Sequence, residues 1–293
     1  MENSSKKSKT WSVINRLKFI DFTLYWEGQI NRKVIMDKFN ISIPQASKDL
    51  ASYKELAPEN LDYGLSEKKY FASPVFRPVF FEPDADAYLG QMRDDVLSIT
   101  MLDYSNPNLP AHDVIRTPRR HVDPIILKKI VAAVNRNESC EMLYQSMSSG
   151  EPEARIVSPH ALVFDGMRWH ARGFCHKRKV HRDFLLARIL DCKPSEVIAP
   201  SIETDTEWNT MVTVSLIPHP QLSKKQAEAV ARDFSMNEGR LDVQIRQAFV
   251  YYFLYRLNLS DYDGRSNEPN KQHVVVENPE ALRYAHDNKK YPL

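Results

Sequence analysis

Residues 168 to 189, RWHARGFCHKRKVHRDFLLARI, carry seven lysines or arginines against one acid, Asp183, and lay that charge on an alternating pattern. A disordered basic tract has no reason to alternate. Two β-strands around a turn do, because successive side chains point to opposite faces. In period two Arg168, His170, Arg172 and Phe174 fall on one face, and Trp169, Ala171, Gly173 and Cys175 on the other. On the return strand Arg182, Phe184, Leu186 and Arg188 share a face, opposite Asp183, Leu185, Ala187 and Ile189. One side of the expected hairpin then offers cations, an imidazole and aromatic planes, the chemistry that holds an anion carrying flat rings. The segment suggests a nucleotide or nucleic-acid sensor.

At 293 residues the chain is long enough for two or three domains of roughly 80 to 120 residues each, and 42% apolar content suffices for packed cores. Net charge is only +2, so affinity for phosphate must come from local patches. The hairpin segment alone contributes +6 (seven cations less one acid), and residues 1 to 56 contribute +4 (ten cations less six acids). Cys140, Cys175 and Cys192 are odd in number and form no CxxC pair. That argues against a disulfide framework and a cysteine-rich zinc site, and no metal or cofactor is expected. A reducing cytoplasm fits best. The N-terminal MENSSKKSKT is followed by no apolar leader core, and no run approaches the ~18 apolar residues of a membrane span. A soluble, cytoplasmic protein with no membrane partner is therefore expected.

Along the chain, Ile14, Leu17, Phe19, Ile20, Phe22 and Leu24 predict a helix from Trp11 to about Trp26, stopped by Gly28. A second helix is expected over Asn31 to Phe39 and a third from Ser42, where Ser42-Ile43-Pro44-Gln45 matches a capping box. Ile43, Ala46, Leu50 and Tyr53 would line its inward face, leaving Gln45, Ser47, Lys48, Ser52 and Lys54 outside. Leu61 to Leu65 and Lys69 to Ser73 alternate around Ser66-Glu67-Lys68 and read as a hairpin. Three helices and a hairpin are the order of a winged helix-turn-helix, whose third helix enters a major groove. A plain three-helix domain with a solvated polar face is the bland alternative.

A helix is expected from Pro83 to about Thr100, then a proline-spotted linker over Asp103 to Asp123. Asp123 would cap a helix starting at Pro124. Four strands follow, over Cys140 to Met147, Arg155 to Phe164, Arg168 to Cys175 and Val180 to Leu190. After Pro200, strands at Thr210 to Ile217 and Arg240 to Ile245 alternate with helices at Ser223 to Asp233 and Gln247 to Leu257. The last helix is crowded with Phe249, Tyr251, Tyr252, Phe253 and Tyr255, an excess that fits core or dimer contact better than catalysis. The tail from Asp261 is polar and weakly patterned. The fold class is α+β multidomain, with boundaries placed at 1–82, 83–123, 124–200 and 201–293.

Pro159-His160-Ala161-Leu162, Asp165-Gly166-Met167-Arg168-Trp169-His170-Ala171-Arg172-Gly173-Phe174, and then Arg182, Phe184 and Arg188-Ile189, resemble the WYL domain, a small Sm-like β-barrel of bacterial regulators. Where that family's name expects Trp-Tyr-Leu, this chain has Trp169-His170-Ala171. The stretch Ile41 to Tyr53 is similar to the recognition region of the BrxR and CapW group of WYL regulators. The order of segments and the total length agree as well. The resemblance implies a dimeric winged-helix repressor found beside phage-defence operons, with a C-terminal dimerisation domain and an effector at the WYL domain.

On that reading Gln45, Ser47 and Lys48 lie at or near base edges, while Ser42, Ser52, Lys54 and wing Lys68 and Lys69 serve the DNA contact, largely at phosphates. A symmetric dimer would meet an operator with an inverted repeat. In the central domain Arg168, Arg172, Arg182 and Arg188 supply charge, His160 and His170 hydrogen bonds, and Phe174 and Phe184 stacking surfaces, with Tyr144 and Ser146 on a neighbouring strand. A nucleotide or short single-stranded nucleic acid fits those side chains. The bland alternative is a solvated basic face, with the two phenylalanines turned to the core. An enzyme is not expected: the histidines form no HxH or HxxxH pair beside carboxylates, and neither a glycine-rich phosphate loop nor a GxSxG elbow occurs. RNA binding through the barrel alone would leave the winged helix unexplained.

Overall fold

The computed structural model describes residues 2–96, 110–115, 118, 120–147, 150–259, 268–278 and 283. The chain divides into two compact units, Met1–Arg116 and Thr117–Leu293.

In the first unit α1 (Glu2–Glu27) ends where Gly28 takes φ +70° and its N–H bonds Leu24 O at 3.0 Å, a left-handed stop that glycine adopts without a Cβ penalty. A two-residue strand β1 (Gln29–Ile30), which the sequence pattern does not reveal, leads into α2 (Arg32–Phe39). Asn31 caps α2 by accepting the Val34 N–H, and left-handed Asn40 closes it. α3 (Ile43–Leu56) follows, then the hairpin β2 (Leu61–Gly64) and β3 (Lys69–Ala72). β3 is the central strand of a three-stranded antiparallel sheet in the order β1-β3-β2. Leu17, Ile20 and Leu24 of α1, Val34 and Ile35 of α2, and Ala46, Leu50 and Tyr53 of α3 form one core. α4 (Ala85–Val96) starts two residues later than expected, and the rest of the predicted helix, like much of the predicted linker, lies outside the described residues.

Two expectations about α3 fail. Ser42 makes no side-chain cap bond, and the reciprocal half of the box is missing too, since Gln45 turns its amide along the helix to Asp49 Oδ1 at 2.9 Å. Ile43 is 57% exposed, and the inward position is taken instead by Asp49.

The second unit begins with α5 (Pro124–Arg136), capped by Asp123, whose carboxylate accepts the Ile125 and Ile126 N–H groups. Five strands follow: β4 (Ser139–Gln145), β5 (Pro152–Phe164), β6 (Trp169–Cys175), β7 (Val180–Leu185) and β8 (Ile189–Ser195). They pair antiparallel in the order β7-β6-β5-β4-β8, and no β7–β8 pairing closes them into a barrel among the described residues. The expected strand Val180 to Leu190 is thus interrupted: Leu186–Arg188 form a 3-10 turn that carries the chain across to pair with β4. Ile126, Ile130, Met142, Val157, Ala171, Phe184 and Ile189 make the core of this region. Cys140, Cys175 and Cys192 are free and buried.

After α6 (Thr206–Asn209), β9 (Met211–Pro218) is flanked by β10 (Leu241–Arg246) and β11 (Val274–Val276), the latter a strand within the tail that read as weakly patterned. α7 (Lys224–Asp233) and α8 (Val250–Arg256) complete the unit, with the first three residues of the expected last helix, Gln247–Phe249, forming a 3-10 turn. The capping box anticipated at Ser42 occurs at α7, where Ser223 and Gln226 exchange side-chain and backbone bonds.

The hairpin's faces need correction. Across β6 and β7, Ala171 pairs with Phe184, Arg172 with Asp183, Gly173 with Arg182 and Phe174 with His181. Residues directly opposite in antiparallel strands share a face. Arg182 and Phe184 therefore lie with Ala171 and Gly173, and not with Arg172 and Phe174. Four residues separate paired Cys175 and Val180, so even-numbered positions of one strand meet odd-numbered positions of the other.

Candidate functional site

In the first unit α3 is held by one buried ion pair. Arg16 of α1 donates from Nε to Asp49 Oδ2 at 2.6 Å and from Nη2 to Oδ1 at 3.2 Å, a bidentate fork. One turn further along the helix, buried Tyr53 donates to Asp21, whose other oxygen accepts the Val79 and Phe80 N–H groups at 2.7 Å each. Asn60 donates to the Tyr53 hydroxyl at 3.1 Å. With its inner side fixed, α3 presents Ser42, Lys48 and Lys54 exposed and Gln45, Ser47 and Ser52 half-buried. The Asp49 bond uses one of Gln45's two amide hydrogens, leaving the other and Oε1 for an outside partner. Lys68, at φ +55°, stands exposed at the tip of the β2–β3 hairpin, while Lys69 donates to Gln29 Oε1 at 3.2 Å.

In the second unit the hairpin's cations meet carboxylates. Arg172 is 2% exposed. It donates from Nε and Nη2 to the two oxygens of Asp205 at 2.7 and 2.8 Å, from Nη1 to Asp183 at 3.3 Å and from Nη2 to Glu207 at 3.0 Å. Asp205 caps α6 by accepting the Trp208 N–H, and His160 Nε2 donates to its Oδ2 at 2.9 Å. His160 reaches it because β5 bulges between Pro159 and Ala161, leaving residue 160 unpaired and re-aimed. Gly173 permits that bulge: a Cβ there would meet Ser158 O at 2.5 Å and Pro159 Cα at 2.7 Å.

Asp165 accepts bonds from His170 Nε2 and Arg168 Nε, both at 2.9 Å, and from the Met167 and Arg168 amides. Burial opposes its ionisation, but these donors outweigh burial and hold the carboxyl far below its usual range. The same balance, with His160 and Arg172 as donors, depresses Asp205. Tyr252 of α8 donates to Asp183 at 2.9 Å; burial first and Asp183 second push its phenol far up, so it stays a donor. Burial pushes the His181 imidazole down, against the pull of Asp205. His160, His181 and Asp205 could offer metal ligands within 4.8 Å of one another, but Arg172 already engages both Asp205 oxygens, so the arrangement is an ion-pair network.

A cavity of about 60 Å³ beside this network is lined by eight of the ten side chains marked in the sequence for ligand, namely Tyr144, Ser146, Arg168, His170, Arg172, Arg182, Phe184 and Arg188. Arg188 has no carboxylate partner among the described residues. Phe184 packs its ring into the core edge-on to Tyr144 at 5.3 Å. The other two lie apart from the cavity. His160 sits against Asp205 and Trp208, and Phe174 packs between His176 and His181.

Comparison with known proteins fits this division. Residues 12–94 match the BrxR transcriptional regulator winged helix-turn-helix domain, 125–194 the WYL domain, and 211–282 the BrxR transcriptional regulator C-terminal dimerization domain. Over 290 residues the chain is 38% identical to the DNA-binding transcriptional repressor CapW of Stenotrophomonas maltophilia, covering 97% of this chain and 95% of that protein. The chain belongs to the CapW family. Two further CapW repressors, from Escherichia coli (strain KTE188) and Pseudomonas aeruginosa, are each 36% identical, covering 97% and 96% of this chain and 92% and 94% of theirs.

Within this CapW-family chain, Arg16, Asp21 and Asp49 position α3 and went unmarked in the sequence; at the second site Asp205 and Glu207 went unmarked as well, while Asp165, Asp183 and Tyr252 stood out there without a positioning role. Asp205 and Glu207 fall between the WYL and C-terminal matches. Their only sequence signal is local: Asp205 stands at a cap position before Thr206-Glu207-Trp208, which marks a helix start and says nothing of Arg172. No described helix is long and apolar enough to cross a membrane.

Proposed function

We propose that the chain is a DNA-binding transcriptional repressor, a homodimer that binds an inverted-repeat operator of a phage-defence operon and leaves it when a nucleotide or single-stranded nucleic acid binds at the second unit. The observation that carries this reading is near-full-length similarity to proteins named DNA-binding transcriptional repressors. The exposed outer side of α3 and the lysine at the hairpin tip suit groove and phosphate contacts, with Ser42, Gln45, Ser47, Lys48, Ser52, Lys54, Lys68 and Lys69 as the contact set. DNA binding is assigned to 1–82, a helical linker to 83–123, ligand sensing to 124–200 and dimerisation to 201–293. Bulges in β5 and at Leu143/Tyr144 bend the five-stranded sheet, which supports its description as Sm-like. The ligand acts by preferring one dimer arrangement, since equal affinity for both shifts nothing.

The test is a gel shift with DNA from upstream of the protein's own gene. Tight, salt-sensitive binding is expected. Lys48→Ala should weaken it across sequences and lower the salt slope by about one, and Gln45→Ala should relax preference at one base pair by about 1–3 kcal/mol. Undiminished binding by both variants would remove α3 from the recognition role. Binding to single-stranded RNA in place of the upstream DNA would favour an RNA binder.

A further inference from the structure

The cavity beside Arg172 is narrowed from within. Its volume of about 60 Å³ is well below the ~300 Å³ of a typical small-ligand pocket, so a nucleotide-sized ligand enters only if a side chain moves. Asp205, 1% exposed at its side chain, carries α6 and His160 and is fixed. Asp183, 11% exposed, is tied to Tyr252. Glu207, 30% exposed, bonds Arg172 and lines the cavity. It is the carboxylate that can leave.

The charges say what can replace it. Three carboxylates meet one guanidinium, so Asp183, Asp205, Glu207 and Arg172 sum to −2. A singly charged phosphodiester taking Glu207's place leaves that sum unchanged. A mononucleotide brings one phosphate to that place, whereas a chain carries further phosphates along the cavity. Arg182 and Arg188 line the same cavity and would meet further phosphates of a chain, and Tyr251 offers a ring for a base.

We propose that Glu207 is an internal stand-in for the effector's phosphate, narrowing the site and selecting a phosphodiester chain over a mononucleotide. This rests on the ligand reading of the second unit given above. Displacing Glu207 would also free one hold of the WYL region on α6, the helix that leads into β9 of the C-terminal domain.

The test uses the full chain and a fluorescein-labelled twelve-residue oligothymidylate, followed by anisotropy, with thymidine 5′-monophosphate as competitor. Glu207→Gln should tighten oligothymidylate at least about tenfold by removing the competing carboxylate. Arg188→Ala should weaken it, and the monophosphate should compete poorly against wild type at pH 8. Glu207→Ala serves as a second variant, and thermal unfolding confirms that both variants fold. If Arg188→Ala weakens binding while neither Glu207 variant tightens it, Glu207 is no gate and the ligand site itself stands. Should the monophosphate compete as well as an equal concentration of unlabelled oligomer, the choice of a phosphodiester chain is overturned. No binding to wild type or to either Glu207 variant would remove both the gate and the ligand reading.

Discussion

Arg16 and Arg172 are both buried arginines held bidentately by an aspartate, and their surroundings differ in charge and in use. Arg16 meets Asp49 one to one, and the only further bond to that carboxylate among those described comes from Gln45. The pair fixes α3, and of the side chains proposed to touch DNA Gln45 bonds the same carboxylate while Lys48 and Lys54 stand exposed. Arg172 is itself among the side chains proposed to meet ligand, and three carboxylates compete for it. Gln45 apart, the first unit thus separates what holds the helix from what reads the partner. The second uses the same groups for both, which suits a sensor: a ligand that rearranges the contact also rearranges the structure around it.

The sharpest way to break this comparison is to remove one carboxylate. Asp205→Ala leaves Arg172 and His160 without their shared partner in a buried site, and should cost about 3–5 kcal/mol in denaturant or thermal unfolding of the full chain. Lys48→Ala, an exposed change, should cost less than about 0.5 kcal/mol while weakening operator binding. A neutral Asp205→Ala, or a Lys48→Ala as damaging to stability as to DNA affinity, would erase the distinction between the two sites.

Local patterns were legible and pairings across the chain were not. Asp123-Pro124 before an apolar run announces a capped helix, and Asp123 caps it. Ser42 with Gln45 carries the same kind of local signal, yet Gln45 is drawn away by Asp49, an acid stationed there by Arg16, 33 residues earlier. The alternation of residues 168 to 175 and 180 to 185 correctly gave two strands. Which faces coincide depended on the length of the turn between them, and a four-residue turn reversed the parity. Asp205 and Glu207 lie 33 and 35 residues from Arg172, in a stretch that read only as the approach to the next strand. For these reasons the cations were recognised from sequence and the carboxylates that bury them were not.

Acid should sharpen the same contrast by a smaller amount. His181 is depressed by burial, so its neutral form favours the folded state. That contribution is full above the ordinary histidine value of about 6.5 and is lost as pH falls through the lowered one. Asp165 and Asp205 are depressed in the folded chain, so their stabilisation is full above about 3.9 and disappears as pH falls further. Thermal unfolding of the second unit should therefore decline in two stages, near neutral to mildly acidic pH and again below about pH 4. Burial lowers His176 as well, so His181→Gln should reduce the first stage without abolishing it and leave the second unchanged, and an unchanged first stage would assign it to other groups.

The smallest effect separates two serines that look alike in sequence. Ser223→Ala removes a complete capping box at α7 and should cost about 1 kcal/mol. Ser42→Ala removes no cap bond, so its cost should stay within about 0.5 kcal/mol. If Ser42 serves a phosphate, the same variant should weaken the operator complex, because its hydroxyl is exposed and not engaged in capping α3. A Ser42→Ala protein less stable than Ser223→Ala would mean that the serine caps the helix in solution after all.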